Sequence, residues 1–69
     1  MKPQTKRVLS VLRRRSLTPA EARLLTGSDR LAARVYEIRE VFGQASVEKR
    51  MESNANGTHA RYFWRGEAA

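Results

Sequence analysis

The chain contains no cysteine, which excludes a disulfide framework, a thiolate metal site and a cysteine nucleophile. A secreted chain of 69 residues usually needs such staples, so a reducing compartment is expected. There is one histidine, His59, beside a turn, and nothing near it in sequence supplies both an orienting carboxylate and a nucleophile. The carboxylates are scattered singly, so no metal site is expected. No apolar run approaches the ~18 residues of a membrane span. The opening Met1-Lys2-Pro3-Gln4-Thr5-Lys6-Arg7 leads into no signal-type stretch before Arg13. Two prolines and four glycines leave no linker long enough to separate domains. Nine of the apolar residues are Ala, so one small core is affordable but a buried catalytic cleft is not. The expectation is a single domain over residues 1–69, with its core at about 4–65 and a frayed tail at 66–69. Neither catalysis nor a cofactor is expected, and the expected location is the cytoplasm.

Acidic residues are the other shortage: seven Asp and Glu stand against fourteen Lys and Arg, a net charge of +7. The imbalance is local. Residues 1–15 hold Lys2, Lys6, Arg7, Arg13, Arg14 and Arg15 with no acid, whereas residues 16–43 balance to zero and residues 44–69 to +1. A basic end on a small domain attracts polyanions. Eleven of the cations are Arg, the residue suited to planar, bidentate contact with phosphate or guanine. Solvation with helix-dipole support, or an acidic protein partner, are the competing readings of the same charge.

Apolar spacing predicts three helices and a hairpin. Thr5, Val8, Leu9 and Leu12 form one stripe over residues 4–15, with Pro3 at the start. Thr18, Pro19 and Glu21 form a capping box that opens a short helix from Pro19 to Leu25, ended by Thr26-Gly27. Ser28 offers the next N-cap, with Asp29 in the first turn, and a third helix runs over 29–42 to Gly43. On it Leu31, Val35, Ile38 and Phe42 share a face. Beyond Gly43 the period changes. Ser53-Asn54-Ala55-Asn56-Gly57-Thr58 is a turn cluster centred on Asn-Gly, followed by alternation in which Ala60, Tyr62 and Trp64 lie on one side. Asn56-Gly57-Thr58 also spells a glycosylation acceptor, but its residues are ordinary turn chemistry. Tyr62 and Trp64 are types that stack on bases, and at this spacing they belong to the core. The order predicts an α+β winged helix-turn-helix: three helices followed by a two-stranded β-hairpin wing.

The third helix, Asp29-Arg30-Leu31-Ala32-Ala33-Arg34-Val35-Tyr36-Glu37-Ile38-Arg39, resembles that of the small winged-helix proteins of phages and prophages. The opening Lys2-Pro3-Gln4-Thr5-Lys6-Arg7-Val8-Leu9, the Leu17-Thr18-x-x-Glu21-Ala22 segment and the closing Arg61-Tyr62-Phe63-Trp64 fit the same pattern, over roughly residues 2–65. The resemblance implies binding of double-stranded DNA by the third helix and the wing. The roles implied are a transcriptional regulator or an excision-type architectural factor. The second reading is a protein-binding module that uses the same fold against host RNA polymerase or another phage protein. Neither reading involves a membrane, and a monomer or weak homodimer is expected.

On this reading Ser28, Asp29, Arg30, Ala33, Arg34 and Glu37 project outward from the third helix into the major groove. Arg30 and Arg34 reach base edges or phosphates, and Glu37 accepts from a cytosine amino group. Ser28 caps the helix and donates to a phosphate. Lys49, Arg50, His59 and Arg61 straddle the backbone as wing residues, or form a charged edge that discourages strand pairing. Arg13 and Arg14, with Lys6 and Arg7, neighbour phosphates without reading sequence.

Overall fold

A computed structural model of the chain describes residues 1–66; of the expected tail, residues 67–69 lie outside the described residues. The element order is α1 (Pro3–Leu12), α2 (Pro19–Thr26), α3 (Leu31–Phe42), a 3-10 turn (Gln44–Ser46), β1 (Val47–Asn54) and β2 (Gly57–Trp64). Three helices followed by an antiparallel hairpin give the α+β, winged-helix-like layout expected from the sequence.

Helix α1 starts on Pro3, whose missing N–H would be unpaired there in any case. It stops at Leu12 instead of reaching Arg15, where the Arg14 N–H bonds the Val11 carbonyl, three residues back rather than four, at 2.9 Å. Helix α2 opens on the expected capping box. The Glu21 N–H donates to the Thr18 hydroxyl at 3.2 Å, and the Thr18 N–H donates to the Glu21 carboxylate at 3.0 Å. It closes on Gly27 at φ 76°, a left-handed conformation that glycine adopts without a Cβ penalty.

The start of α3 departs from expectation. Ser28 does not cap it; the residue is 1% exposed, and its hydroxyl has no hydrogen-bond partner among the described residues. Its N–H donates to the Thr26 hydroxyl at 3.2 Å, which in turn donates to the Ala22 carbonyl at 2.6 Å. Ser28 is thus consumed in a buried turn, too early to face the first-turn amides. The helix begins at Leu31, with Arg30 at the cap position and no side-chain cap.

Strands β1 and β2 pair from Val47–Trp64 to Asn54–Gly57. The turn is centred on Ala55-Asn56 rather than on Asn56-Gly57. The Asn56 N–H is held by the Asn54 side chain at 2.8 Å, and Gly57, at φ 120°, takes the positive φ that no other residue of the turn adopts. Leu17, between α1 and α2, adds a bridge to the open edge of β2. Its N–H and carbonyl exchange bonds with Tyr62 at 3.0 and 2.8 Å.

The core collects Val8, Leu9 and Leu12 from α1, Leu17 and Ala22, Leu31, Val35 and Ile38 from α3, and Val47 and Tyr62 from the hairpin. The expected meeting of the α3 stripe with the aromatic strand occurs: Phe42 and Trp64 pack edge to face with centroids 5.3 Å apart, both half-buried.

Candidate nucleic-acid interface

The core stripe of α3 leaves two polar flanks, and they are not equivalent. On one, Arg34 and Glu37 turn onto α1 instead of projecting outward. Their ion pair is 2.7 Å long, the Arg34 side chain is only 15% exposed, and Thr5 donates to Glu37 at 2.9 Å. A further bond runs from Arg34 to Gln4 at 3.3 Å. The cause is Thr5, a polar residue on the buried stripe of α1 whose hydroxyl needs a partner in the interior. The other flank is open: Ala32, Tyr36 and Glu40 are exposed, with Ala33 half-buried beside them. The Glu40 carboxylate, by hydrogen bonding and charge, raises the Tyr36 phenol above its ordinary range. Arg30 and Asp29 stand exposed at the head of the helix, where Asp29 meets Arg23 at 3.1 Å. Of the six residues expected to face outward, Asp29, Arg30 and Ala33 lie on or beside the open surface. Ser28, Arg34 and Glu37 are turned inward. Tyr36 and Ala32 join the surface without having been singled out, although the 100° spacing of a helix places them opposite Arg34.

Most of the expected wing cations are engaged within the protein. The register places Glu48, Arg50 and Glu52 on the same sheet face as Phe63, Arg61 and His59. Arg61 donates to both oxygens of Glu52, at 2.9 and 3.0 Å, to Glu21 at 3.0 Å and to Ser16 at 3.2 Å. His59 bonds Glu52 at 2.9 Å and Asn54 at 3.2 Å, and Arg15 bonds Glu21 at 2.9 Å. Nearer the core, Glu48 receives both Arg50 and Arg65, whose guanidinium groups lie 5.3 and 5.2 Å from the Phe63 ring. Bonds from Arg50 and Arg65 hold the Glu48 carboxyl below the usual range, and Arg61 does the same for Glu52. At Glu21 burial pushes the pKa up, but the Thr18 amide, Arg61 and Arg15 together bring it below 4.5. The Glu52 bond, with help from Glu21, raises Arg61. Lys49 occupies the opposite sheet face, exposed and in no ion pair among the described residues.

The unengaged cations concentrate on α1. Among the described residues Lys6, Arg7, Arg13 and Arg14 form no ion pair, and all four are exposed. Arg13 lies over the Trp64 ring at 5.3 Å and near Phe42 at 5.8 Å. Met1, Lys6, Leu9, Ser10, Arg13 and Arg14 line an open groove of about 400 Å3. A second groove, about 480 Å3, separates the head of α2 from the hairpin. Among the described residues no three His, Asp or Glu side chains come together, and no helix is long and apolar enough to cross a membrane. Compared with family models, with curated proteins and with solved structures, the chain matches none of them.

Proposed function

We propose that the protein binds double-stranded DNA by laying the open face of α3 in the major groove. It acts in a phage or prophage, within the host cytoplasm, as a transcriptional repressor or as an architectural factor in excision. Occlusion or bending of the covered DNA is the mechanism. The observation that carries this reading is the shape and chemistry of that face in a winged-helix-like layout. Ala32 and Ala33 give a low profile that admits close approach to a groove. Arg30 stands exposed at one end, and Tyr36 is 63% exposed in the middle. The net charge of +7 supplies the sequence-independent attraction. The test is a mobility-shift titration of the DNA flanking the protein's own gene against random duplex. Preference for the flanking DNA that Arg30→Ala and Tyr36→Ala abolish supports the reading; equal affinity in all cases defeats it.

A second reading has its own observation. With Arg34 and Glu37 turned inward, the open face of α3 presents Tyr36 and Glu40 alongside a single exposed arginine at its head. An aromatic and acidic face of this kind also suits a protein partner, such as host RNA polymerase. Binding to purified polymerase with no duplex binding at low salt would establish it.

A further inference from the structure

We infer that the outer face of α1 is a second docking surface for the phosphate backbone of double-stranded DNA, distinct from α3, so that one molecule holds two duplex segments at once. The inference rests on the duplex-binding reading of α3.

The separation of the two surfaces follows from packing. Gln4 and Thr5 of α1 bond Arg34 and Glu37. Taking about 100° per residue, Arg34 lies roughly 160° around α3 from both Ala32 and Tyr36, and Glu37 roughly 140° and 100° from them. Helix α1 is therefore seated on the flank of α3 away from the open face. Its own inner side, Thr5, Val8, Leu9 and Leu12, is buried, so its outer side is turned further away still. A straight duplex lying along one surface does not reach the other.

The outer side is built of two short columns of charge. Lys6 and Arg7 come from α1 and Arg13 and Arg14 from the turn that continues it, Lys6 in line with Arg13 and Arg7 with Arg14, with exposed Ser10 between them. Seven residues at 1.5 Å span about 10 Å, close to the rise of three base pairs along the duplex axis. Local pairing accounts for none of these cations, and helix stability accounts for Arg13 and Arg14 at the α1 C-terminus but not for Lys6 and Arg7. Residues 1–15 hold no acid, and the first turn of α1, where the helix dipole disfavours positive charge, carries no acidic residue to offset Lys6. Arg13 is oriented by the Trp64 and Phe42 rings while its N–H groups stay free of acceptors among the described residues. Apart from Met1, the surface presents no bulky exposed apolar side chain, whereas a helix lying in a bilayer surface needs a row of them. Dense charge and arginine, with no row of exposed apolar side chains, together fit a phosphate backbone.

The experiment is duplex capture. One duplex is fixed to beads, a second carries a fluorophore, and the intact protein is added at low salt. A parallel titration measures binding to a single duplex, and circular dichroism checks the fold of each variant. The wild-type protein should draw the free duplex onto the beads. Lys6→Ala/Arg7→Ala/Arg14→Ala should lower capture at least about tenfold while still binding one duplex. Wild-type binding to single duplexes without capture overturns the inference and leaves the α3 reading standing. Capture undiminished in the triple variant overturns it in favour of protein dimers. Loss of all single-duplex binding in the triple variant, with Arg30→Ala/Tyr36→Ala unaffected, makes α1 the sole surface and overturns both. So does a wild-type protein that ignores duplex DNA, whether or not it sediments with vesicles of anionic lipid.

Discussion

Glu21, which completes the capping box of α2, also receives Arg61 from β2 at 3.0 Å. One carboxylate thus fixes the start of a helix and ties the hairpin to it. The tie is pH-dependent. Glu21, Glu48 and Glu52 all have depressed pKa values, so they stabilise the fold above the ordinary glutamate value of 4.5, and that contribution is lost as the pH falls through the lower folded-state values. Melting temperatures followed by circular dichroism should be level from pH 7 to 5 and fall below about 4.5. Glu21→Gln should melt lower at pH 7 and show a shallower acid fall.

Arg34→Ala should reduce stability by about 1–3 kcal/mol, because it leaves Glu37 partly buried beside α1 without its cation. Arg30→Ala, at an exposed position, should leave stability within about 0.5 kcal/mol. Denaturant titration of the two variants separates an inward from an outward arginine. Equal losses would contradict the placement of Arg34.

Ser28→Ala should be neutral or stabilising. The serine buries a hydroxyl without a partner, so its removal relieves a desolvation cost. A helix-capping serine would instead lose about 1 kcal/mol on the same change. The sign of the shift in melting temperature decides between the two.

Trp64→Ala should cost about 2–4 kcal/mol, somewhat less than for a fully enclosed ring, since Trp64 is half-buried but packs on Phe42. In so small a domain that loss is comparable with the total stability, and the unfolding midpoint in urea should fall steeply.

Duplex binding should weaken with salt. If about five phosphates are neutralised, log K falls against log salt with a slope near −4 to −5. Anisotropy titrations of a labelled duplex at several salt concentrations give the slope. Arg50→Ala should barely alter it, because Arg50 is engaged with Glu48, whereas Arg30→Ala, exposed at the head of α3, should reduce it by about 1.

What was legible in the sequence was local. Thr18-Pro19-x-Glu21 announces its helix because all its partners lie within four residues. The Leu31, Val35, Ile38 stripe and the Tyr62, Trp64 alternation announce their buried sides by period alone. The direction of Arg34 and Glu37 was not legible, because Gln4 and Thr5, which turn them inward, stand about thirty residues away. Nor was the Leu17–Tyr62 bridge, a pair with no pattern of its own. Ser28 misled because a good capping residue was claimed by the tight turn before the helix could use it. On the wing, composition counted Arg50 and Arg61 as free charge. Only the strand register shows that Glu48 and Glu52 stand beside them on the same sheet face.

The stacking of Arg13 on Trp64 has a practical consequence. Trp64 is the only tryptophan in the chain, and the cation above it belongs to the basic side of α1. An anion that draws the Arg13 guanidinium off the indole changes the electric field at that ring and hence its emission. Contacts made at the head of α3, at the opposite end from the Phe42 that packs on the ring, leave it untouched. The protein thus carries its own optical sensor for one side of itself, which responds without any label to whatever occupies α1.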